Sequence, residues 1–557
     1  MKTHKYFHQR LSVSICFFVI LFLLTTLETY PNENTQNTTI PHLRKQGEAS
    51  QLYVDGKPFL ILGGELGNSS ASDPNYMRPL WPKLVKMNLN TVLAPVYWEL
   101  MEPEEGRFGF AHVDSLILNA RRYDLKLVLL WFGSWKNSMS CYAPLWVKKD
   151  PERFPRSLDK NGKGLEILST FSEENRNADA RAFAALMRHI RETDEKERTV
   201  IMVQVENEIG MIPEARDYSR TANKAYTKPA PRELIEYLQQ NRQNLIPEFR
   251  DVWAQTGFKS SGTWEELFGA GLGTDEIFMA WNFARYVNYI VKAGKAEYPL
   301  PMFVNAALIR PGYKPGQYPS AGPLPHLMDI WRSGAPDIDF LSPDIYFPNF
   351  AEWCQKYHRS GNPLFIPEAG RGSQSAVNVF YAVGRHDAIG FSPFSIESTR
   401  DPENGPVTQS YRVLSQLAPL ILEKQGKGQM SGVLLDKENP VQDIELGDYT
   451  FKFSHDFTWG WSQKPEGDIA WPRAGGLIIS VGLDEYIIAG SGIIVTFSPN
   501  PPGGQIAGIG WIDEGEFVNG RWTPGRRLNG DQSHQGRHLR IPNGQFGIQR
   551  VKLYRYR

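Results

Sequence analysis

The stretch that decides the fold of this chain is residues 199–210, TVIMVQVENEIG. Its apolar run at residues 200–205 predicts a buried strand, and Glu206, Asn207 and Glu208 follow at the C-terminal end of that run. A second stretch, PLFIPEAG at residues 363–370, has the same form and ends in Glu368. In a barrel of parallel strands the C-terminal ends open onto one face, so we expect Glu208 and Glu368 to face each other.

The rest of the chain from about residue 50 supports a barrel, because apolar strand-like runs alternate with amphipathic helix-like stretches. Eight strands are predicted, at residues 59–64, 91–96, 125–131, 200–205, 302–305, 339–344, 364–367 and 388–391. Helices are predicted between them, among others at residues 76–87, 178–192, 277–296 and 408–424. The pattern is that of a (β/α)₈ TIM barrel, which we place at residues 50–425.

Two further segments extend this barrel. Residues 211–275 are too long for an ordinary βα loop and follow the strand that bears Glu208, so we predict a helical insertion over the catalytic mouth. The alternative is a bulge that only covers the barrel wall. Residues 426–557 contain short β-branched and aromatic runs separated by Gly, Pro and Asn, which predict an all-β sandwich or jelly-roll domain. We expect this domain to be structural, and glycan binding is the alternative.

The N-terminus has the order of an export signal. Lys2, Lys5 and Arg10 precede an apolar run at residues 11–27, and residues 28–49 are read as a polar linker. Residues 1–27 are thus predicted to be a cleaved signal peptide or an uncleaved membrane anchor, both of which remain open. We expect an exported protein, periplasmic or extracellular.

Composition limits the partners. The chain has 557 residues with 61 basic and 61 acidic side chains, which gives no electrostatic basis for nucleic-acid binding and favours an uncharged substrate. Three cysteines offer neither a disulfide framework nor a closely spaced zinc-ligand set. We therefore expect no metal and no other cofactor.

The paired carboxyls indicate the chemistry. A glycosidic oxygen leaves only when it is protonated, so one carboxyl must stay neutral near pH 7 while the other is ionised and attacks the anomeric carbon. An ionised Glu368 would raise the pKa of Glu208. Forming a glycosyl ester on Glu368 would remove that charge, so Glu208 could then act as the base that activates water.

These motifs carry a family resemblance. The run VQVENEIG resembles the strand-four motif of the retaining glycoside hydrolases of clan A, and PLFIPEAG is similar to their strand-seven motif. The nearest resemblance is to glycoside hydrolase family 35, the β-galactosidases, in the branch with a single compact C-terminal β domain. Supporting segments are GGELGNSS (63–70), APVYWELMEPEEGRFGF (94–110) and PDIYFP (343–348). Family 42, also retaining β-galactosidases, is the alternative.

The resemblance implies specific roles. Glu208 would be the acid/base and Glu368 the nucleophile, Asn207 would contact the sugar 2-hydroxyl, and Tyr346 would orient Glu368, with rim packing as the alternative for Tyr346. Further substrate-contact candidates at predicted strand ends are Glu65, Asn68, Trp131, Trp135, Asn137 and Glu397. Of these, Trp131 could stack on a sugar ring or belong to the barrel core.

The sequence thus predicts a retaining exo-glycoside hydrolase that removes terminal β-galactosyl residues from an oligo- or polysaccharide. An exo-β-glycosidase of other sugar preference and an endo-glycanase of the same clan are alternatives. A non-catalytic glycan-binding protein with a remnant barrel is the alternative from a different class, but it predicts the loss of a carboxylate, and both are present.

Overall fold

The structure is a computed structural model that describes residues 40–460, 462–464 and 470–557. The predicted signal peptide or anchor at residues 1–27 lies outside the described residues, as does the linker up to residue 39. In the part of the chain that is described, no helix has the length and apolar character needed to cross a membrane.

The described chain begins with a small antiparallel sheet of three strands, β1 (His42–Gln46), β2 (Ala49–Val54) and β3 (Lys57–Phe59). The linker prediction is therefore wrong from His42 onward, since these residues pair with β2 and are not an unstructured connection. Gly47 and Gly426 meet so closely that a Cβ on Gly426 would lie 1.8 Å from the Gln46 carbonyl oxygen. Gln51 also donates to the Leu422 carbonyl at 2.7 Å, which fixes the sheet against the end of the last barrel helix.

The predicted barrel is confirmed. The strands that follow are β4 (Ile61–Glu65), β5 (Thr91–Tyr97), β6 (Lys126–Lys136), β7 (Arg156–Leu158), β8 (Gly164–Leu168), β9 (Val200–Asn207), β10 (Met302–Ala307), β11 (Phe340–Ile345), β12 (Phe365–Ala369) and β13 (Gly390–Pro393). Strands β7 and β8 pair only with each other, and the other eight close a parallel barrel in chain order. Each barrel strand is apolar on both faces because one face meets the barrel interior and the other meets the helices.

Helices cover the outside of the barrel. They are α1 (Pro74–Met77), α2 (Leu80–Lys86), α3 (Trp98–Met101), α4 (Ala111–Arg122), α5 (Leu145–Lys148), α6 (Glu173–Asp194), α7 (Arg220–Tyr226), α8 (Arg232–Gln240), α9 (Pro247–Ala254), α10 (Trp264–Phe268), α11 (Leu272–Glu297), α12 (Met328–Gly334), α13 (Phe350–Tyr357), α14 (Ser373–His386) and α15 (Pro406–Lys424). The helix predicted at residues 76–87 is two helices, because Pro79 lacks the N–H that would continue the first one.

The insertion at residues 211–275 is helical, as predicted, and supplies α7 to α10. Its helices pack against the barrel wall: the Ile246 N–H donates to Asp329 of α12 at 2.6 Å, and Glu248 forms an ion pair with Arg359. Of the insertion, Ile212 at its start lines the catalytic cavity. The bulk of the insertion thus corresponds to the wall-covering alternative.

The C-terminal domain is a β-sandwich, as predicted. Its strands are β14 (Met430–Leu435), β15 (Val441–Leu446), β16 (Tyr449–His455), β17 (Ala474–Gly482), β18 (Glu485–Ser491), β19 (Ile493–Pro499), β20 (Ile506–Val518), β21 (Arg521–Arg527), β22 (Leu539–Ile541) and β23 (Gly547–Tyr556). One sheet has the order β14-β17-β18-β23-β20-β21 and the other has the order β15-β16-β19-β22. Phe451, Phe453, Ile488 and Val495 are among the buried side chains between them.

The sandwich packs closely on α14, the helix that follows the strand bearing Glu368. A Cβ on Gly384 of α14 would lie 2.9 Å from the Leu477 Cβ, and a Cβ on Gly432 would lie 3.0 Å from the Phe380 carbonyl oxygen. Leu477 and Ile479 of the sandwich belong to the same continuous hydrophobic cluster as the barrel core. The barrel and the β domain therefore share one buried apolar interface.

Candidate active site

Glu208 and Glu368 meet at the C-terminal mouth of the barrel. Glu208 follows the last residue of β9, Glu368 lies on β12, and the two side chains are 7% and 4% exposed. One carboxylate oxygen from each of Glu208, Glu368 and Asp344 lies within 4.8 Å of the other two. In glycoside hydrolases the separation of the two carboxyl groups, about 5–5.5 Å in retaining enzymes and about 6.5–9.5 Å in inverting ones, decides which mechanism the pair can support.

The end of β9 is held in an unusual backbone conformation. Glu206 and Glu208 have φ values of 62° and 44°, in the left-handed region that L side chains rarely adopt. The Glu208 N–H donates to Asn305 Oδ1 at 3.0 Å, and the Glu206 carboxylate accepts the N–H groups of Ser134 and Trp135 at 3.1 and 2.7 Å. These bonds compensate for a strain of about 1–2 kcal/mol at each residue and fix the direction of the Glu208 side chain.

Glu368 is the acceptor for two donors. Tyr346 donates its hydroxyl to Oε2 at 2.8 Å, and Asn207 donates Nδ2 to Oε1 at 3.3 Å. Burial and the charge of Glu368 hold the pKa of Tyr346 far above its ordinary value, so the hydroxyl keeps its proton. The two donors hold the Glu368 carboxyl group in place through both of its oxygens. Tyr346 thus lies where the resemblance implies it would orient Glu368.

The surroundings of Glu208 favour the protonated form of its carboxyl group. Burial, and next the charge of Glu368, raise its pKa from 4.5 to about 7. Asn137 donates its amide to the Glu208 carboxylate, so this predicted site residue contacts the acid/base. Asp344 lies beside Glu208, and its Oδ2 accepts from Asn305 Nδ2 at 2.7 Å. Burial, and next the charge of Glu368, raise the pKa of Asp344 well above its usual range.

A single lysine lies among these acids. Lys136 at the end of β6 is buried and donates Nζ to Asn207 Oδ1 at 2.7 Å, which orients the Asn207 amide so that its Nδ2 faces Glu368. Burial alone would lower the pKa of Lys136, but the surrounding carboxylates raise it above its ordinary value, Glu368 most strongly. Lys136 therefore supplies one positive charge to balance the ionised Glu368.

Glu65, one of the predicted strand-end candidates, is fully buried beside this cluster. Neither of its carboxyl oxygens has a hydrogen-bond partner within the described part of the chain. Burial, and next the charge of Glu368, raise the pKa of Glu65 well above its ordinary value, so the protonated form of this side chain is favoured.

Glu208, Asp344 and Glu368 also have the spacing of a cation ligand set, and Lys136 interacts electrostatically with all three.

Glu208 and Asp344 line a cavity of about 540 Å³ at the mouth of the barrel. Its lining comes from the ends of β9, β10 and β11: Glu208, Ile212, Ala307, Leu308, Arg310, Tyr313, Gln317, Tyr318, Pro319, Asp344, Tyr346 and Phe347. The aromatic and polar groups in this wall suit a sugar, which has both C–H faces and hydroxyl groups.

The substrate-binding role predicted for Trp131 is wrong. Its ring is fully buried, packs 5.7 Å from the Phe183 ring of α6, and donates Nε1 to Asp179 at 2.9 Å. The side chain thus points from β6 toward the helix layer, where no substrate can reach it. Trp135 is likewise fully buried, with its ring 4.6 Å from that of Tyr286.

Asp179 of α6 and Glu206 of β9 support the site through hydrogen bonds to the end of β6. Asp179 accepts the N–H of Ser134 at 3.0 Å and also its hydroxyl, beside the Glu206 carboxylate that accepts the same N–H. Burial raises the pKa of Glu206 well above its ordinary value and also raises that of Asp179. The two carboxyls hold the turn from Ser134 to Asn137 that carries Lys136.

Three residues of the site were missed by the sequence analysis: Lys136, Asn305 and Asp344. Asp344 had a usable signal, because it lies two residues before Tyr346 on one strand and so faces the same side. Lys136 also had one, since it is the single cation in the apolar and small-residue stretch at the end of β6. Asn305 had none beyond its place at the end of a predicted strand.

A closed barrel whose fourth and seventh strands end in facing glutamates is the catalytic framework of a clan A glycoside hydrolase. Residues 77–267 match the model of a family described as Beta-galactosidase (Glyco_hydro_42). Over these residues the chain is thus similar to the β-galactosidase-like glycoside hydrolases, and the closed barrel and the carboxylate pair agree with that class. The matched model is that of the alternative, family 42, and membership of family 35 stays a prediction. Residues 407–540 match a second model, Domain of unknown function (DUF5597).

Individual relatives agree with this class over part of the chain. Beta-galactosidase-1-like protein 3 of Homo sapiens is 28% identical over 186 residues, which cover 33% of this chain and 26% of the relative. The β-galactosidase of Xanthomonas manihotis is 25% identical over 215 residues, which cover 36% of this chain and 30% of the relative. The matches thus span less than a third of either relative.

Solved structures show low overall similarity. The β-galactosidase from the psychrophilic Marinomonas ef1 is 12% identical, with 66% of this chain and 61% of that chain covered and a TM-score of 0.45. The β-galactosidase from Rahnella sp. R3 is 16% identical, with 66% and 57% covered and the same TM-score of 0.45.

Proposed function

We propose that this protein is a retaining exo-β-galactosidase that works by double displacement. The observation that carries the proposal is the spacing of Glu208 and Glu368, whose carboxylate oxygens lie within 4.8 Å of each other. Carboxyl groups about 5–5.5 Å apart are typical of retaining enzymes, whereas inverting enzymes keep theirs about 6.5–9.5 Å apart, so the short distance between the nearest oxygens supports the retaining mechanism.

In the first step Glu368 attacks the anomeric carbon while Glu208 gives its proton to the glycosidic oxygen. The leaving sugar departs as an alcohol, and a glycosyl ester forms on Glu368. Esterification removes the Glu368 charge, which is the second-largest cause of the raised pKa of Glu208, so Glu208 becomes more acidic. The resulting carboxylate can take a proton from water, which then attacks the ester and releases the sugar with retained configuration.

Galactose as the cleaved sugar is supported by the family model, described as Beta-galactosidase, and by the names of the two relatives, one a Beta-galactosidase and the other a Beta-galactosidase-1-like protein. Exo action is supported by the near-complete burial of both carboxylates, since an open cleft that admits the middle of a polymer would leave them accessible. The motifs VQVENEIG and PLFIPEAG support placement in family 35.

The nucleophile can be tested by chemical rescue. In Glu368→Gly, hydrolysis of an aryl β-galactoside should fall to background, and azide should restore turnover with α-galactosyl azide as product, because azide enters on the face that Glu368 vacates. The matched control, Glu438→Gly at an exposed turn, should leave the rate unchanged. Full activity of Glu368→Gly without azide would remove Glu368 from this role.

Separate assays test which sugar is cleaved, whether the action is exo or endo, and whether hydrolysis retains the anomeric configuration. Aryl β-glucosides and β-glucosaminides should be turned over far more slowly than the galactoside. ¹H NMR should show β-galactose as the first product formed. Release of internal fragments from a galactan would indicate endo action instead.

We also infer export, as the charged start and the apolar run at residues 11–27 support. Expression of the full chain in its source cells, followed by fractionation and N-terminal sequencing, tests this. A mature protein that starts after residue 27 indicates a cleaved signal, an intact N-terminus in the membrane fraction indicates an anchor, and an intact cytosolic protein contradicts export.

A further inference from the structure

The catalytic cavity adjoins a second cavity of about 620 Å³. The two cavities share Arg310, Tyr313 and Phe347 as lining residues. The outer cavity is completed by the loop after Phe347 and by α13, which contributes Glu352 and Lys356. We call this outer cavity the leaving-group groove, defined by Arg310, Tyr313, Phe347, Glu352 and Lys356.

The position of Glu208, the proposed acid/base, indicates which part of the substrate would lie in the leaving-group groove. Glu208 lines the inner cavity together with Arg310 and Tyr313. Glu208 must protonate the oxygen that leaves with the remainder of the substrate, so that remainder lies on the Glu208 side of the cleaved bond. The cavity that adjoins this space is the leaving-group groove.

We propose that the leaving-group groove binds the sugar units of a neutral oligosaccharide beyond the cleaved bond. This inference rests on the proposed function. It adds a substrate preference: the protein acts on the terminal residue of a carbohydrate chain of several units in preference to a small galactoside.

The chemistry of the groove fits this ligand. Tyr313 is 45% exposed, which is high for a large aromatic ring, and the Arg310 guanidinium lies 6.0 Å from the centre of that ring. The half-buried Phe347 is held by the Trp353 ring at 6.2 Å and an interplanar angle of 31°. Flat apolar faces of this kind stack on the C–H faces of sugars.

The polar groups at the rim suit hydroxyls. Glu352 and Lys356 form an ion pair at 2.6 Å, so their charges largely cancel while both still offer hydrogen-bonding atoms. Asn349 donates to Glu352 at 2.7 Å and accepts from the Trp353 indole at 3.2 Å, which fixes this edge of the groove. Fixed polar groups beside aromatic faces are the pattern expected for an uncharged carbohydrate.

The test compares substrates of different length in one variant. In Tyr313→Ala, kcat/KM for a β-galactosyl-terminated tetrasaccharide should fall about tenfold, because a stacking contact worth about 1.4 kcal/mol is lost. With methyl β-galactoside, which has no leaving-group sugar, kcat/KM should fall severalfold less than with the tetrasaccharide, because Tyr313 then acts only through its place in the wall of the catalytic cavity. Tyr554→Ala serves as the matched control, because Tyr554 is 48% exposed and lies in the β domain.

A second variant tests whether the dependence on substrate length belongs to the leaving-group groove as a whole and not to Tyr313 alone. Phe347→Ala should show the same dependence on substrate length, and in both variants the released trisaccharide should inhibit about tenfold more weakly. Equal losses for both substrates, or no loss for either, would overturn the inference while leaving the proposed function standing. A wild-type protein that hydrolyses neither substrate would overturn the proposed function and this inference with it.

Discussion

The raised pKa of Glu208 leads to a prediction about how activity depends on pH. Burial and the charge of Glu368 raise this pKa from 4.5 to about 7, which corresponds to about 3 kcal/mol. About half of the Glu208 carboxyls are then protonated at pH 7, whereas with an ordinary pKa only about one in 300 would be. The environment of Glu208 therefore increases the amount of available acid at neutral pH by about two orders of magnitude.

The profile of kcat/KM against pH reports this group in the free enzyme. For a galactosyl disaccharide, we expect kcat/KM to lose a factor of ten for each pH unit above about 7, because the acid form disappears. In Glu208→Gln, kcat/KM for the disaccharide should fall about 10²–10⁴-fold, the usual contribution of a general acid. With 2,4-dinitrophenyl β-galactoside, whose leaving group needs no proton, Glu208→Gln should retain activity and lose the alkaline limb.

Glu438→Gln, an exposed substitution of the same kind, is the control and should reproduce the wild-type profile. An alkaline limb with its midpoint near 4.5 would refute the argument that burial raises the pKa of Glu208. An alkaline limb near 7 that persists in Glu208→Gln with the dinitrophenyl substrate would refute the assignment of that limb to Glu208.

Three further substitutions test the surroundings of the pair. Lys136→Met removes the cation that lowers the pKa of Glu208, so the alkaline limb should move to higher pH while kcat/KM falls about a hundredfold; Lys136→Arg should largely restore the midpoint, and an unmoved midpoint in Lys136→Met would contradict this account. Asp179→Ala leaves the buried Trp131 indole N–H without its acceptor, whereas Ser134 keeps Glu206 and Tyr286 as partners, and should lower the free energy of unfolding by about 2 kcal/mol in urea titrations, with exposed Asp251→Ala of α9 as control. Trp131→Phe should cost about 1–2 kcal/mol of stability with KM unchanged, and a raised KM at unchanged stability would return Trp131 to the sugar site.

The barrel was predictable because its strands are buried on both faces and therefore read as uninterrupted apolar runs. Glu208 and Glu368 were predictable for the same reason, since each interrupts such a run where the strand ends. The strand His42–Gln46 was missed because its sequence, HLRKQ, is mostly polar and only partly buried, and so looks like a linker.

The side on which a residue of a barrel strand points is harder to predict. Both faces of β6 are apolar, so its sequence does not show whether Trp131 faces the barrel interior or the helices. The register of β6 against β9 also shifts between Trp131 and Lys136, which breaks the simple alternation of side chains. Lys136 and Asp344 become recognisable only when separate strands bring them to Glu208 and Glu368.

Gly384 and Gly432 lie in close contact with their neighbours where the barrel meets the sandwich. This contact limits how the chain can be truncated into separate domains. Many carbohydrate-active enzymes carry accessory modules on tethers, and such modules can be cut away or transplanted. Here, removal of the sandwich would expose the apolar side of α14, the helix that immediately follows the strand bearing Glu368. A truncated barrel would therefore make a poor engineering scaffold.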